Sequence, residues 1–245
     1  LIAQRMVLEA GVSLYFHSYL SGCKKLGNKL THIIIENKNG TEAIAAKYFI
    51  DCTGDADLAF QGGVPMQPLK SDLQPATLIF MLGGVDINAL PMIRHSQQGV
   101  NYHDLNMRKI LEELGKKVKL PLFGGPWYCG VLGKGLVLMN MTRINANMAD
   151  NRQATNAECL LREDVSTFVE ILKQNIPAFK KAFLVNTATQ TGTRETRRIQ
   201  GMYTLTGEEY LEAHNFPDAI SRGCHPVDIH SYESNNQRCE FLKDA

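Results

Sequence analysis

The stretch KYFIDCTGDADLAFQGGVP, residues 47–65, decides how the chain is read. An apolar run, Tyr48-Phe49-Ile50, leads straight into Thr53-Gly54-Asp55. A short helical pattern follows and stops at Gly62-Gly63. A strand that ends on Gly and Asp at a helix start can hold a ligand. Glycine lets the backbone approach closely, and first-turn amides favour anionic groups. A plainer reading fits the same residues: Gly54 makes a tight turn and Asp55 only caps the helix.

Working back from this stretch, residues 41–51 read as a strand returning from a hairpin whose turn is Asn39-Gly40, two residues that tolerate positive φ. Its partner is 29–37, where Ile33-Ile34-Ile35 favours extended structure. Residues 12–20 read as a further strand. Residues 1–10 space Ile2, Met6 and Ala10 on one helical face, with Gly11 as a left-handed cap. The first 65 residues thus suggest a helix, a β-hairpin and a buried strand.

Forward of it, 76–87 reads as a strand closed by Gly83-Gly84, and 104–114 as a helix between Asp104 and Gly115. A turn around Gly133-Lys134-Gly135 precedes another strand. Thr155-Asn156-Ala157-Glu158 has the pattern of a capping box and is expected to open a helix over 156–175, which Pro177 interrupts. A second short helix is expected from 177. Residues 193–213 read as strand or loop, then a helix from Thr206 or Gly207. Strands and helices mixed in this way predict an α/β to α+β arrangement.

With 245 residues the chain can bury a real core as one large domain or two small ones. A net charge of +1 gives no sign of a nucleic-acid or acidic-membrane partner. No apolar run reaches the roughly 18 residues that span a bilayer. The six cysteines show neither CxxC nor zinc spacing. No metal is expected, and sparse thiols suit the cytoplasm. There is no P-loop, no G-x-S-x-G and no G-x-G-x-x-G.

Two further clusters carry chemistry. GTRETRRIQG, residues 192–201, gathers Arg194, Glu195, Arg197 and Arg198. Arginine forks bind carboxylates and phosphates bidentately, although a solvated, salt-bridged turn would look the same. DAISRGCHPVDIH, residues 218–230, gathers Asp218, His225, Asp228 and His230. A carboxylate beside an imidazole tunes it for acid–base work; a structural histidine held by its neighbours is the alternative.

Together the three stretches resemble the bacterial FAD-dependent oxidoreductase family. FIDCTGDADLAFQGGVP matches its TGD strand, with Cys52 where Ala is usual. Residues Arg194 to Thr206 match its RETRRI signature. Asp218 to His230 match its DIH signature, with His225 where Tyr is common. LQPATLIFMLGGVD, residues 73–86, is also similar.

The resemblance implies that Thr53, Gly54 and Asp55 line a flavin cleft. Arg194, Arg197 or Arg198 would bind an anionic substrate group or stabilise reduced flavin. His230, oriented by Asp228, would donate or accept a proton. It further implies a remnant of a Rossmann-like FAD-binding half (1–70) and an antiparallel-sheet substrate domain with helices (71–245). Family members begin with a glycine-rich phosphate loop and end with a further FAD-contacting segment. The chain is therefore expected to be an internal fragment, inactive by itself. The parent's activity would be hydride transfer between a small organic substrate and FAD, with oligomer formation open. The competing expectation is a non-catalytic substrate-binding or assembly module that binds no flavin.

Overall fold

The computed structural model describes residues 1–69, 73–90, 105–131, 135–231, 233–235 and 237–240. The chain is a mixed α and β protein whose strand pairings are all antiparallel among the described residues. It divides into two compact units, one of residues 1–69 with 197–202, the other of 70–196 with 203–245.

In the smaller unit, helix α1 (Ile2–Glu9) precedes a three-stranded sheet of β1 (Tyr19–Leu26), β2 (Lys29–Asn37) and β3 (Gly40–Ala45), in that order. Helix α2 (Asp57–Gln61) follows, with Leu58 buried. Residues 65–67 then pair with 198–200: Met66 bridges Ile199, Gln67 donates to the Arg198 carbonyl and Gln200 to that of Pro65.

Three expectations fail here. Residues 12–18 are not strand, because Phe16-His17 form a turn with His17 at φ 54°. The first strand lies later, and Gly27-Asn28 closes a hairpin that sets Leu26 opposite Lys29. The second hairpin turns one residue earlier than expected, on Lys38-Asn39. Asn37 Oδ1 accepts the Asn39 amide and Gly40 opens the return strand at φ 108°. That strand ends at Ala45, so Tyr48-Phe49-Ile50 is neither strand nor buried. Tyr48 is 88% and Ile50 85% exposed. β-Propensity needs a neighbouring strand to become structure, and none pairs with this run among the described residues.

The larger unit holds nearly all of the core. Its elements are β4 (Phe80–Gly83), α3 (Leu105–Gly115), β5 (Phe123–Val131), β6 (Leu136–Thr142), α4 (Asn151–Asn175), β7 (Phe183–Thr187), α5 (Gly207–Leu211), β8 (Val227–His230) and β9 (Gln237–Glu240). The sheet order is β5-β6-β4-β7, and β8 and β9 form a separate hairpin.

Alternation gives the four-stranded sheet two characters. Val137, Met139 and Met141 of β6, with Phe80 and Leu82 of β4, are fully buried. Leu161, Val165, Phe168 and Leu172 of α4 join the same core. Leu138 and Asn140 point the other way and are half-buried.

The strand expected over 76–87 is shorter, with isolated bridges from Ala76 to Ile144 and Thr77 to Gly192 ahead of it. Helix α4 starts a turn before the expected cap. Asp150 accepts from the Arg152 and Gln153 amides, leaving Thr155 inside the helix, where its hydroxyl donates to the Asn151 carbonyl. A complete capping box does occur at Thr206 and Glu209, opening α5. The turn from Pro177 is a single 3₁₀ turn. The Asp104 cap and the Gly133-Lys134 turn lie outside the described residues.

Adjacent leucines test the phase of α4. Leu161 is 0% and Leu160 46% exposed. Leu161→Ala is expected to cost ~2–5 kcal/mol and Leu160→Ala at most about 0.5 kcal/mol in urea unfolding followed by circular dichroism. Similar losses at both positions would refute this packing.

Candidate functional site

In the smaller unit the residue that organises the TGD turn is Asp51. Its Oδ1 accepts from the Thr53 amide at 3.1 Å and the Thr53 hydroxyl at 2.7 Å, and its Oδ2 from the Ala59 amide at 3.0 Å. Thr53 Oγ1 in turn accepts the Asp57 amide at 3.0 Å. The cap position of α2 is Ala56, in a left-handed conformation, so the expected capping by Asp55 gives way to Asp51 and Thr53. Burial acts to raise the Asp51 pKa, but the bonds from Thr53, Ala59 and Leu58 outweigh it. They hold the carboxyl below the ordinary aspartate range.

Gly54 sits at φ 85°, and among the described residues no atom outside its own chain neighbours lies within 4 Å of where a Cβ would be. The turn therefore needs glycine for its backbone angle rather than for want of space. Arg197 fastens this turn. Its Nη1 donates to the Asp55 carbonyl at 3.1 Å and to Asp57 Oδ1 at 2.6 Å, and its guanidinium lies 4.5 Å from the centre of the Phe60 ring. Arg198 is exposed, and its carbonyl takes the Gln67 bond already described.

In the larger unit, Arg194, Asp228 and His230 come together. They line a cavity of about 390 Å³ with Trp127, Tyr128 and Asn140, a size suited to a small organic molecule. Trp127 and Asn140 are cross-strand neighbours on the sheet face opposite α4. Arg194 Nη2 donates to Thr77 Oγ1 at 3.0 Å. His230 Nε2 lies 3.1 Å from Asp228 Oδ2. The Trp127 and His230 rings meet edge to face at 5.4 Å. The His230 amide donates to Gln74 Oε1, and the Gln74 amide to Glu195 Oε2.

His225 also lines the cavity; its Nδ1 is 2.7 Å from the Pro226 carbonyl. Among the described residues no group of three His, Cys, Asp or Glu could hold a metal ion, and no helix is long and apolar enough to cross a membrane.

One member of this cluster escaped the sequence reading. Arg143, 2% exposed, places Nη2 2.6 Å from His230 Nδ1 and donates from Nη1 to the Ser234 carbonyl at 3.1 Å. Its signal was present: it follows directly on the apolar strand LVLMNMT. Gly124 makes room for it, since a Cβ there would lie 2.6 Å from Arg143 Nε.

Burial lowers the Arg143 pKa to about 10, with Arg194 and Arg108 adding and Asp228 opposing. The Arg194 guanidinium, packed among protein atoms although much of the residue is exposed, is lowered by burial and raised by Asp228. Burial and Arg194 push His230 down to about 4, against Asp228, and Arg143 adds to the lowering. The imidazole is therefore neutral at pH 7.

An antiparallel α+β protein with an arginine, an imidazole and a carboxylate around an aromatic-walled cavity has the parts of a small-anion binding site. The family of FAD-dependent oxidoreductases matches residues 1–244, and the chain belongs to that family. No curated protein and no solved structure gives a significant match.

The Asp51 network sets a pH-dependent expectation. A lowered folded pKa means that its stabilisation is full above the ordinary aspartate value of about 3.9 and is lost as pH falls through the lower folded one. Amide exchange at Ala59 and Thr53 should accelerate over that range. Asp51→Asn should accelerate both amides at neutral pH; unchanged exchange would remove Asp51 from this role.

Proposed function

We propose that this chain serves hydride transfer between FAD and a small organic anion held in the cavity of the larger unit. The observation that carries this is the joint placement of Arg194, Asp228 and His230 against Trp127 and Tyr128. Membership of the family supports the cofactor. FAD, when bound, would supply an acceptor or donor of a hydride, that is, of two electrons with one proton.

The chain's own groups bind and orient. Arg194 pairs with the ligand's anionic group. Trp127 covers it and excludes water, and the Asp228–His230 pair meets a proton-bearing atom of the ligand.

The turn at 51–57 fits only part of the cofactor. The Asp57 and Ala59 amides of α2 are already bonded to Thr53 and Asp51, and carboxylates surround them. Such a set of acceptors suits hydroxyl groups, as on the ribityl chain, rather than a diphosphate. Thr53, Gly54 and Asp55 are proposed for that contact, with Arg197 fixing the turn through Asp57. Arg198 stands in the same signature and is exposed.

The absence of a G-x-G-x-x-G cradle from the sequence favours a second reading, a substrate-binding module that takes up no flavin by itself.

Trp127 is the chain's single tryptophan, so its fluorescence reports on the cavity. Titration with small mono- and dicarboxylates is expected to give saturable changes, weakened about tenfold or more in Arg194→Met, while the corresponding neutral amides give none. Equal responses to acids and amides, or an unaffected variant, would overturn the anion assignment. A parallel titration with FAD, read in its visible spectrum, separates the two readings: binding supports the flavin enzyme, and carboxylate binding without it supports the module.

A further inference from the structure

We propose that Arg143 is a positioning residue that fixes the His230 ring in the Nε2–H tautomer, making His230 a fixed donor to Asp228 and leaving Asp228 to meet the ligand's proton-bearing atom. A guanidinium has only N–H donors and no acceptor. At 2.6 Å from Arg143 Nη2, His230 Nδ1 must be the acceptor and carry no proton. The neutral ring then has its one N–H at Nε2, 3.1 Å from Asp228 Oδ2. The hydrogen bond at one ring nitrogen sets the role of the other.

The ring has little freedom to choose otherwise. His230 is 6% exposed, its amide is held by Gln74, and the Trp127 ring packs edge-on against it. The charged groups that act on it are Arg143, Arg194 and Asp228, two cations against one carboxylate. Protonation at Nδ1 would lose the Arg143 bond and add a third positive charge.

Both ring nitrogens are thus committed, and the ring offers the ligand neither a free lone pair nor a free proton. Asp228 is different. Its side chain is 26% exposed, and it lines the cavity. Its Oδ2 takes the His230 bond and its Oδ1 the Cys239 thiol at 3.3 Å, but a carboxylate has about four acceptor positions. Two remain for a ligand's O–H or N–H. The inference deepens the function proposed above: the ligand it implies is an acid with a hydroxyl or amine, the acid on Arg194 and the donor on Asp228.

Two measurements on the full chain test it, and the first needs neither ligand nor flavin. Long-range proton–nitrogen spectra of the histidine rings, with His230 assigned from His230→Gln, should show Nδ1 unprotonated and Nε2 protonated at pH 7. The pattern should persist in Arg143→Lys, which keeps a charged donor. In Arg143→Met the Nδ1–H form should appear and the ring should protonate at higher pH, since a cation has been removed. A wild-type ring with its proton on Nδ1 overturns the proposal whether or not the variants fold. So does a folded Arg143→Met with the wild-type pattern and midpoint.

The second compares ligands by Trp127 fluorescence. Asp228→Asn should weaken a hydroxy acid about tenfold and leave the matching plain acid nearly unchanged. Equal losses for both would overturn the role given to Asp228. If carboxylates do not bind at all, the functional reading fails while the tautomer result stands.

Discussion

A guanidinium removed from water must find acceptors inside the protein or it costs several kcal/mol, and Arg143 meets this condition at the end of β6. Much of the larger unit is arranged around it. Gly124 leaves the space its Nε needs. The Ser234 carbonyl, in the loop between β8 and β9, takes one of its donors. Arg108 works beside it, donating to the carbonyls of Gly125 and Asn235, while the Asn235 side chain accepts the Phe123 amide. The β8–β9 hairpin is small and has little apolar surface of its own. Polar bonds from the buried Arg143 and the partly buried Arg108 hold it against β5, and that brings Asp228 and His230 to the cavity.

The sheet makes the rest of the site inexpensive to build. Period-two alternation puts Val137, Met139 and Met141 into the core and leaves Leu138 and Asn140 for the opposite face. One face can then carry stability and the other chemistry. Losing a core methyl group would cost energy without altering the cavity lining, and changing Asn140 would alter the lining without opening the core. The smaller unit has no such division. Ile35 and Leu58 are its buried apolar residues, and its ordered turn at 51–57 rests on hydrogen bonds to Asp51 and the Arg197–Asp57 pair.

What was legible in the sequence follows from the range of the interactions. Local signals carried well: the isoleucine run of β2, the apolar periodicity of α4, its stop before Pro177, and the opening of α5. Signals that depend on a distant partner carried poorly. Tyr48-Phe49-Ile50 has strand propensity but no strand beside it. Thr155 and Glu158 have capping chemistry, but Asp150 lies one turn earlier and takes the position. Glu158 instead accepts the Thr191 amide and pairs with Arg162. Asp55 lost the cap to Asp51 because a carboxylate four residues back can span both Thr53 and Ala59. The pairing of Asp228 with His230 was readable from their i, i+2 spacing on one strand face. The contact of Arg143 with His230 was not, since the two lie 87 positions apart.

The three arginines of residues 194–198 show how distant acids resolve a local conflict. As a sequence they repel, which implies carboxylates or an anion close by. Within the motifs themselves Glu195 and Asp228 supply carboxylates. Asp228 does act on Arg194 and raises its pKa against burial. Glu195 has another use, accepting the Gln74 amide and thereby linking its own segment to the residue that holds the His230 backbone. Arg197 is met by Asp57, 140 positions earlier, and by the face of Phe60. Arg194 and Arg197 are therefore each met within their own unit by residues that the arginine-rich stretch does not contain. Arg194 serves the larger unit and Arg197 the smaller. The difference has a chemical consequence. Arg197 meets a full carboxylate at 2.6 Å, whereas the bond from Arg194 Nη2 ends on the neutral Thr77 hydroxyl. The anion site proposed above rests on that difference.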